Sequence, residues 1–334
     1  MRSTSVVNQN LDSFDVARTL CALLIIVIHT EPLAPYSTIA NFYLCNVVAR
    51  VAVPLIFAMS GFLFSCKANL QRQFLRIGKI YLCWSFVYLL IQIPQWYRTG
   101  WWGIHVVKDY IVTFVTQGSY YHLWYLLTTI YALPLLYVLM KRASKQVVIG
   151  AISVLWVVEC LIYSYTWIGI EYRFPQLIAS LNRFSAISNA VFRALPLMAI
   201  GVIAGKDHVR RTAKEWGKRA LIAFFCVAAE ASLLYFFSPN KENLSYVFMT
   251  PAVVYYSVCF LLNWKIVLKN KRTAIILRNC SLTLYCIHPL FYYFVQQAQC
   301  PPGIISWLLV TILSVVAALL AEWVRSLYDR RKLR

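Results

Sequence analysis

The chain has 334 residues, of which 60% are hydrophobic and 13% charged, with a formal net charge of +20. A water-soluble domain carries about 25% charged residues, so the composition excludes one and describes an integral membrane protein. The positive charge does not mark a nucleic-acid partner, because Lys and Arg gather in short stretches between alternate apolar segments, as cytoplasmic loops do.

Ten apolar segments are each long enough to cross a bilayer of about 30 Å. They lie near 16–34, 40–66, 80–97, 122–140, 146–166, 187–205, 220–238, 244–264, 280–297 and 304–326. The second is interrupted by Arg50 and Pro54, the sixth by Arg193 and Pro196. Basic stretches at 67–79, 141–145, 206–219 and 263–279 and the tail DRRKLR fall on one side. The loops 35–39, 239–243 and 298–303, whose one basic residue is Lys241, fall on the other. The fold expected is an all-α polytopic membrane bundle of about ten transmembrane helices with both termini cytoplasmic. Residues 98–121, with Trp101 and Trp102, read as an interfacial helix, and 167–186 as a second such element. The polar N-terminus is not expected to be a cleaved signal. The chain is expected to form a single membrane domain over 1–334, with no appended soluble domain and no internal repeat.

In chain order, the first chemistry-bearing residues are Asp15, Arg18 and His29. Eleven helical steps separate Arg18 from His29, which puts both on one face roughly 16 Å apart along the axis. Arg18 near a helix end reads equally as an interfacial anchor, with Asp15 three residues before it as partner. His29 reads equally as a hydrogen-bonded packing residue. Arg50 is harder to place, because a guanidinium in the middle of a span stays charged and demands a cavity or a counter-charge. Ser60 and Gly61 follow in the same segment and permit close backbone approach.

The loop that follows carries Arg72, Arg76 and Lys79. They serve as topology markers or as a basic face for phosphates. His122 and Trp124 open the fourth segment inside an aromatic belt, Tyr120-Tyr121-His122-Leu123-Trp124-Tyr125. In the ninth, Ser281, Tyr285 and His288 recur at i, i+4 and i+7, and Pro289 follows. Glu159 and Glu230 lie within spans and require partners that the sequence does not name. No HExxH and no carboxylate at ligand spacing accompanies the histidines, so no metal site is expected. The ten cysteines show no CxxC spacing and read as small hydrophobes, with no disulfide expected.

The ordered set resembles the acyltransferase 3 family of integral membrane O-acyltransferases along nearly the whole chain. The resemblance rests on Asp15-x-x-Arg18 followed by ten residues and His29, and on Arg50-x-x-Val53-Pro54 with Ser60-Gly61-Phe62-Leu63. It rests also on Arg76-Ile77, on His122-Leu-Trp-Tyr-Leu126 and on Ser281-Leu-Thr-Leu-Tyr-Cys-Ile-His288. The chain departs from the family at Gln73, where a second basic residue is usual, and at Gly78-Lys79, where an aromatic–proline step is usual.

The resemblance implies transfer of an acyl group, by default acetyl, from cytoplasmic acyl-CoA to a sugar hydroxyl of a surface or exported glycan. His29 would be the general base, with Arg18 and Arg50 as the other catalytic residues. Arg72, Arg76 and Lys79 would hold the CoA phosphates. Asp15, Ser60, His122, Trp124, Tyr285 and His288 would surround the substrates. It implies no permanently bound cofactor, acetyl-CoA as co-substrate, and a glycan or lipid-linked sugar as acceptor in a multi-pass protein of the cell membrane. A transporter or ligand-binding membrane module is the rival reading, against which stands the lack of any pair of matching interrupted helices in the sequence.

Overall fold

The computed structural model describes residues 11–67, 69–101, 103–168, 170–238, 246–268 and 270–332. The expectations placed on residues 1–10, Trp102, the 239–243 loop and residues 333–334 lie outside the described residues. The described chain is helical and, among those residues, contains no strand.

Eleven main helices follow one another: α1 (Asp12–Thr30), α2 (Thr38–Cys66), α3 (Leu70–Arg98), α4 (Ile104–Thr116), α5 (Trp124–Arg142) and α6 (Lys145–Tyr163), then α7 (Ser185–Arg210), α8 (Ala213–Phe237), α9 (Thr250–Asn263), α10 (Lys271–Gln297) and α11 (Ile304–Lys332). Among the described residues nine are long and apolar enough to cross a membrane, all but α4 and α9. Among the described residues of the segment expected at 244–264, helix covers the 14 residues of α9, opened by Pro251 in the first turn and ended at Asn263. Large apolar side chains stand exposed along the spans, among them Leu82, Phe86 and Leu90 on α3 and Ile312, Val316 and Leu320 on α11. Such stripes are what lipid covers. The protein is a multi-pass integral membrane protein.

Local chemistry explains where the helices start and bend. Asp12 and Asp15 occupy the first turn of α1, where carboxylates favour the positive end of the helix dipole. α1 stops at Glu31, which takes a left-handed conformation (φ 45°) and returns its N–H to the Val27 carbonyl, ahead of Pro32. Ser37, Asn69, Ser144 and Asn270 cap α2, α3, α6 and α10 through their side chains.

Two spans are broken in similar ways. α2 widens into a π turn at Tyr43–Val48 and tightens into a 3-10 turn at Ala49–Val51 before the α-helix resumes at Ala52. α7 widens at Ala190–Ala194 and resumes at Leu195. In both, the proline stands in the first turn of the resumed helix, where its missing N–H costs nothing. The break therefore lies one turn before the proline, at the arginine.

The interfacial helix expected over 98–121 is α4, confined to Ile104–Thr116. Tyr81 and Tyr131 fasten its C-terminal turn by hydrogen bonds to the Phe114 and Val115 carbonyls, at 2.5 and 2.7 Å. The element expected over 167–186 is a series of short helices, Thr166–Ile168, Ile170–Arg173 and Pro175–Arg183.

The chain forms two compact units, interleaved in sequence. The first comprises residues up to Met59, 204–232 and those from Met249 onward. Here α10 packs between α1 and α11. Ala22 of α1, Cys280 and Leu284 of α10 and Ala318 of α11 form one buried cluster, and Ile26, Val295 and Val310 another. The second comprises 60–203 and 233–248. Within it, Gly61 lies so close to the Met198 backbone that any Cβ would collide with it, so this crossing requires glycine.

Candidate functional site

α1 and α10 run in the same direction, and paired polar groups join them at both ends. Near the start of α1, the buried Asp15 carboxylate receives two hydrogen bonds from Arg278 of α10, Nε at 3.0 Å and an Nη2 nitrogen at 2.6 Å. Arg18 reaches the same carboxylate at 3.6 Å. Asp15 is 1% exposed, Arg18 21% and Arg278 47%, so the carboxylate is the buried anchor and the guanidiniums face outward. The surrounding backbone is tied as well. Asp12 accepts the Leu268 N–H at 2.8 Å, Ser13 donates to the Leu261 carbonyl at 2.7 Å, and Thr19 donates to the Leu277 carbonyl at 3.2 Å.

At the other end of the same helix pair, the rings of His29 and His288 stack with centroids 5.3 Å apart. His288 is fully buried, and its Nδ1 lies 3.1 Å from the Leu284 carbonyl. A carbonyl only accepts, so Nδ1 carries the proton and Nε2 is the basic nitrogen of the neutral ring. Pro289 supplies no N–H to the Tyr285 carbonyl, and the His288 ring takes that place. The Tyr285 ring lies 6.4 Å from that of His288. Arg50, on the tightened turn of α2, is within electrostatic reach of His29. An Nη2 nitrogen of Arg50 donates to the Asn46 side chain at 2.8 Å, one turn back on the widened stretch. The first unit thus brings together five of the residues that the sequence singles out at its two ends: Asp15 with Arg18, and His29 with His288 and Arg50.

Tyr285 lies in the same unit, and the other expected residues lie in the second. Ser60 and Tyr125 share a hydrogen bond at 3.3 Å. His122 is 1% exposed and ringed by Tyr88, Tyr120 and Tyr121, with centroids at 4.9, 5.8 and 5.5 Å. It is a buried member of an aromatic cluster. Trp124 faces Arg193 of α7, its ring centroid 5.5 Å from the guanidinium carbon. Arg72, Arg76 and Lys79 are exposed and line up at i, i+4 and i+7 on the first turns of α3. That is a basic stripe of the kind phosphates bind.

Sequence reasoning missed two features. One is Arg278, whose partner Asp15 is 263 residues away. The other is the partner of Glu159, which is Arg193: Nε and an Nη2 nitrogen both meet one Glu159 oxygen at 2.5 Å, deep in the second unit. Trp124, Tyr163 and Tyr246 wrap the same guanidinium. Each arginine had been visible as a charge in or beside a span, but nothing local to it names its carboxylate. Glu230 accepts the Met249 N–H at 2.9 Å. Among the described residues, no group of three or more His, Cys, Asp or Glu side chains could hold a metal ion.

No solved structure matches the chain. Three curated relatives do, at low identity. Two proteins named amino-acid racemase from Enterococcus faecalis are 27% identical over 74% of this chain and 25% identical over 97% of it, covering 35% and 47% of their own lengths. A serine/alanine racemase from Enterococcus gallinarum is 24% identical over 92% of this chain and 45% of its own length. The chain therefore spans less than half the length of these relatives. The family model described as an acyltransferase domain matches residues 11–324, the stretch that holds both paired ends of α1 and α10 and both broken helices, and the chain belongs to this acyltransferase 3 family.

Proposed function

We propose that the protein moves an acyl group, by default acetyl, from cytoplasmic acyl-CoA to a hydroxyl of a sugar in a surface or exported glycan, with His29 as general base. The observation that carries this reading is the His29–His288 stack beside Arg50, at the far end of α1 from Arg18. His29 takes the proton of the acceptor hydroxyl as its oxygen attacks the thioester carbonyl. The tetrahedral intermediate carries its negative charge on the former carbonyl oxygen, and the Arg50 guanidinium stabilises it. Collapse breaks the carbon–sulfur bond, releases CoA as the thiolate and leaves the ester on the sugar. The proton on His29 returns to the thiolate. A neutral imidazole accepts and returns a proton through one ring nitrogen, which is what both transfers require.

His288 supports the reading by holding its ring in one tautomer against His29. It serves as a positioning residue. The basic loops set the N-terminal end of α1 toward the cytoplasm, which is the side from which acyl-CoA arrives. Arg72, Arg76 and Lys79 attract its phosphates from the start of α3. Tyr285, beside His288, offers a hydroxyl and an aromatic face of the kind that line a sugar.

Membranes holding the wild type or His29→Ala, given radiolabelled acetyl-CoA and host glycans, test the assignment. Label is expected in lipid-linked or polymeric sugar with the wild type and is lost with the variant. Equal labelling by a properly inserted His29→Ala protein would sink the general-base role.

A second reading, a membrane transport or binding module, draws on the two matched broken helices α2 and α7. The relatives' names suggest serine or alanine as its cargo. Uptake of labelled serine by vesicles without acyl-CoA, and no consumption of acyl-CoA, would favour it.

A further inference from the structure

Arg278 is the one half-exposed cation bound to the Asp15 anchor that the acyl-transfer reading leaves without a role. Its geometry suits an anion. Asp15 takes Nε and one Nη2 nitrogen and fixes the plane of the guanidinium, so the remaining N–H groups point in a set direction. Arg18 is anchored on the same carboxylate. Lys271 stands seven residues before Arg278 on α10, two turns back on the same face. Asp12 also lies in electrostatic reach of Arg278, and its carboxylate is engaged by the Leu268 N–H. Two arginines thus share the buried Asp15 carboxylate, with Lys271 two turns back on the helix.

Length gives the ligand. α1 is an unbroken helix from Asp12 to Thr30, so Arg18 and His29 are roughly 16 Å apart along its axis. In an acyl-CoA, thirteen bonds separate the thioester sulfur from the nearest phosphorus. At the rise of an extended chain, about 1.2 Å per bond, they reach roughly 15 Å. A thioester beside His29 and a phosphate beside Arg18 and Arg278 are therefore one extended arm apart.

We propose that Arg278, held with Arg18 on the Asp15 carboxylate, grips the first phosphate of the acyl-CoA arm, so that α1 sets the distance from phosphate to thioester. This rests on the acyl-CoA reading above and names a phosphate ligand that the sequence did not. Asp15 is then a positioning residue, and it touches no substrate.

The test compares two donors, acetyl-4′-phosphopantetheine and acetyl-pantetheine, which differ only by that phosphate, in membranes containing the protein. For the wild type, KM for the unphosphorylated donor is expected to be about 10- to 100-fold higher, the value of charge-assisted hydrogen bonds to one phosphate. Arg278→Ala should collapse the ratio of the two KM values toward one, with its insertion checked by the amount of protein recovered from the membrane. Arg278→Lys, which keeps a charge for Asp15 but loses the fork, should cut the ratio several-fold and serves if the alanine variant fails to insert. A wild-type ratio that persists in the Arg278 variants overturns the proposal and leaves acyl transfer standing. A wild type that consumes neither these donors nor acetyl-CoA overturns the acyl-CoA reading, and the phosphate grip with it.

Discussion

Arg50 and Arg193 occupy the same kind of place in two different units. Each stands where a span loses its regular winding, four residues after an asparagine (Asn46, Asn189) and three or four before a proline (Pro54, Pro196). A widened or tightened turn turns a side chain away from the stripe that a straight helix gives it. It is how an apolar helix presents a cation. What each arginine meets is different. Arg193 meets the Glu159 carboxylate and the faces of three aromatic rings, nearest Tyr246 at 4.3 Å. Arg50 is held by the neutral amide of Asn46, within reach of the His29 imidazole. A carboxylate neutralises a guanidinium, whereas a neutral amide orients it. The backbone device is shared, and its partner decides whether it is a lock or a tool.

The lock gives the largest predicted effect. Arg193→Met leaves the fully buried Glu159 with no cation, which should cost about 3–5 kcal/mol of stability and sharply reduce the amount of folded protein in the membrane. Replacing both, as Glu159→Leu with Arg193→Met, should recover most of that loss, because an apolar pair of similar volume often replaces a buried ion pair without penalty. Thermal unfolding in detergent measures all three proteins. A single variant within 1 kcal/mol of the wild type would show that Arg193 is no lock.

The tool should respond the other way. Arg50→Met is expected to lower kcat by about 100- to 1,000-fold, the usual effect of removing one group that stabilises an oxyanion, with little change in the unfolding midpoint. Acyl transfer from labelled acetyl-CoA, measured beside the midpoint, separates the two arginines. If Arg50→Met unfolds the protein and Arg193→Met spares it, the comparison is reversed.

Periodicity alone placed much of this in view. Arg18 and His29 on one face of α1, and His288 on the same helix as Tyr285, follow from 3.6 residues per turn. The spans were legible because their composition is legible, except for the segment at 244–264. Hydropathy counts residues and does not see that Pro251 opens the helix and Asn263 closes it. The interruptions of α2 and α7 show in the sequence as Arg50 with Pro54 and Arg193 with Pro196, but the form of the breaks does not, because π and 3-10 turns have no residue signature of their own. The two carboxylate–arginine pairs were illegible for a different reason. Asp15 and Arg278, or Glu159 and Arg193, meet only when separate helices pack, and no local rule joins residues 263 or 34 positions apart.

The smallest change asks the sharpest question of the comparison, because it converts one turn into the other. Asn46→Ala removes one hydrogen bond from Arg50 and should lower kcat roughly fivefold, for about 1 kcal/mol of lost orientation. Asn46→Asp keeps the geometry and adds a negative charge beside Arg50, as Glu159 stands beside Arg193. The bond grows stronger and the protein should be as stable as the wild type or slightly more so. Yet transfer should fall by more than in the alanine variant, because a neutralised guanidinium offers less to a developing oxyanion. Paired measurements of kcat and unfolding midpoint decide it. Faster transfer by Asn46→Asp would mean that Arg50 acts through its position alone. Slower transfer by a more stable protein would mean that its charge acts on the reaction.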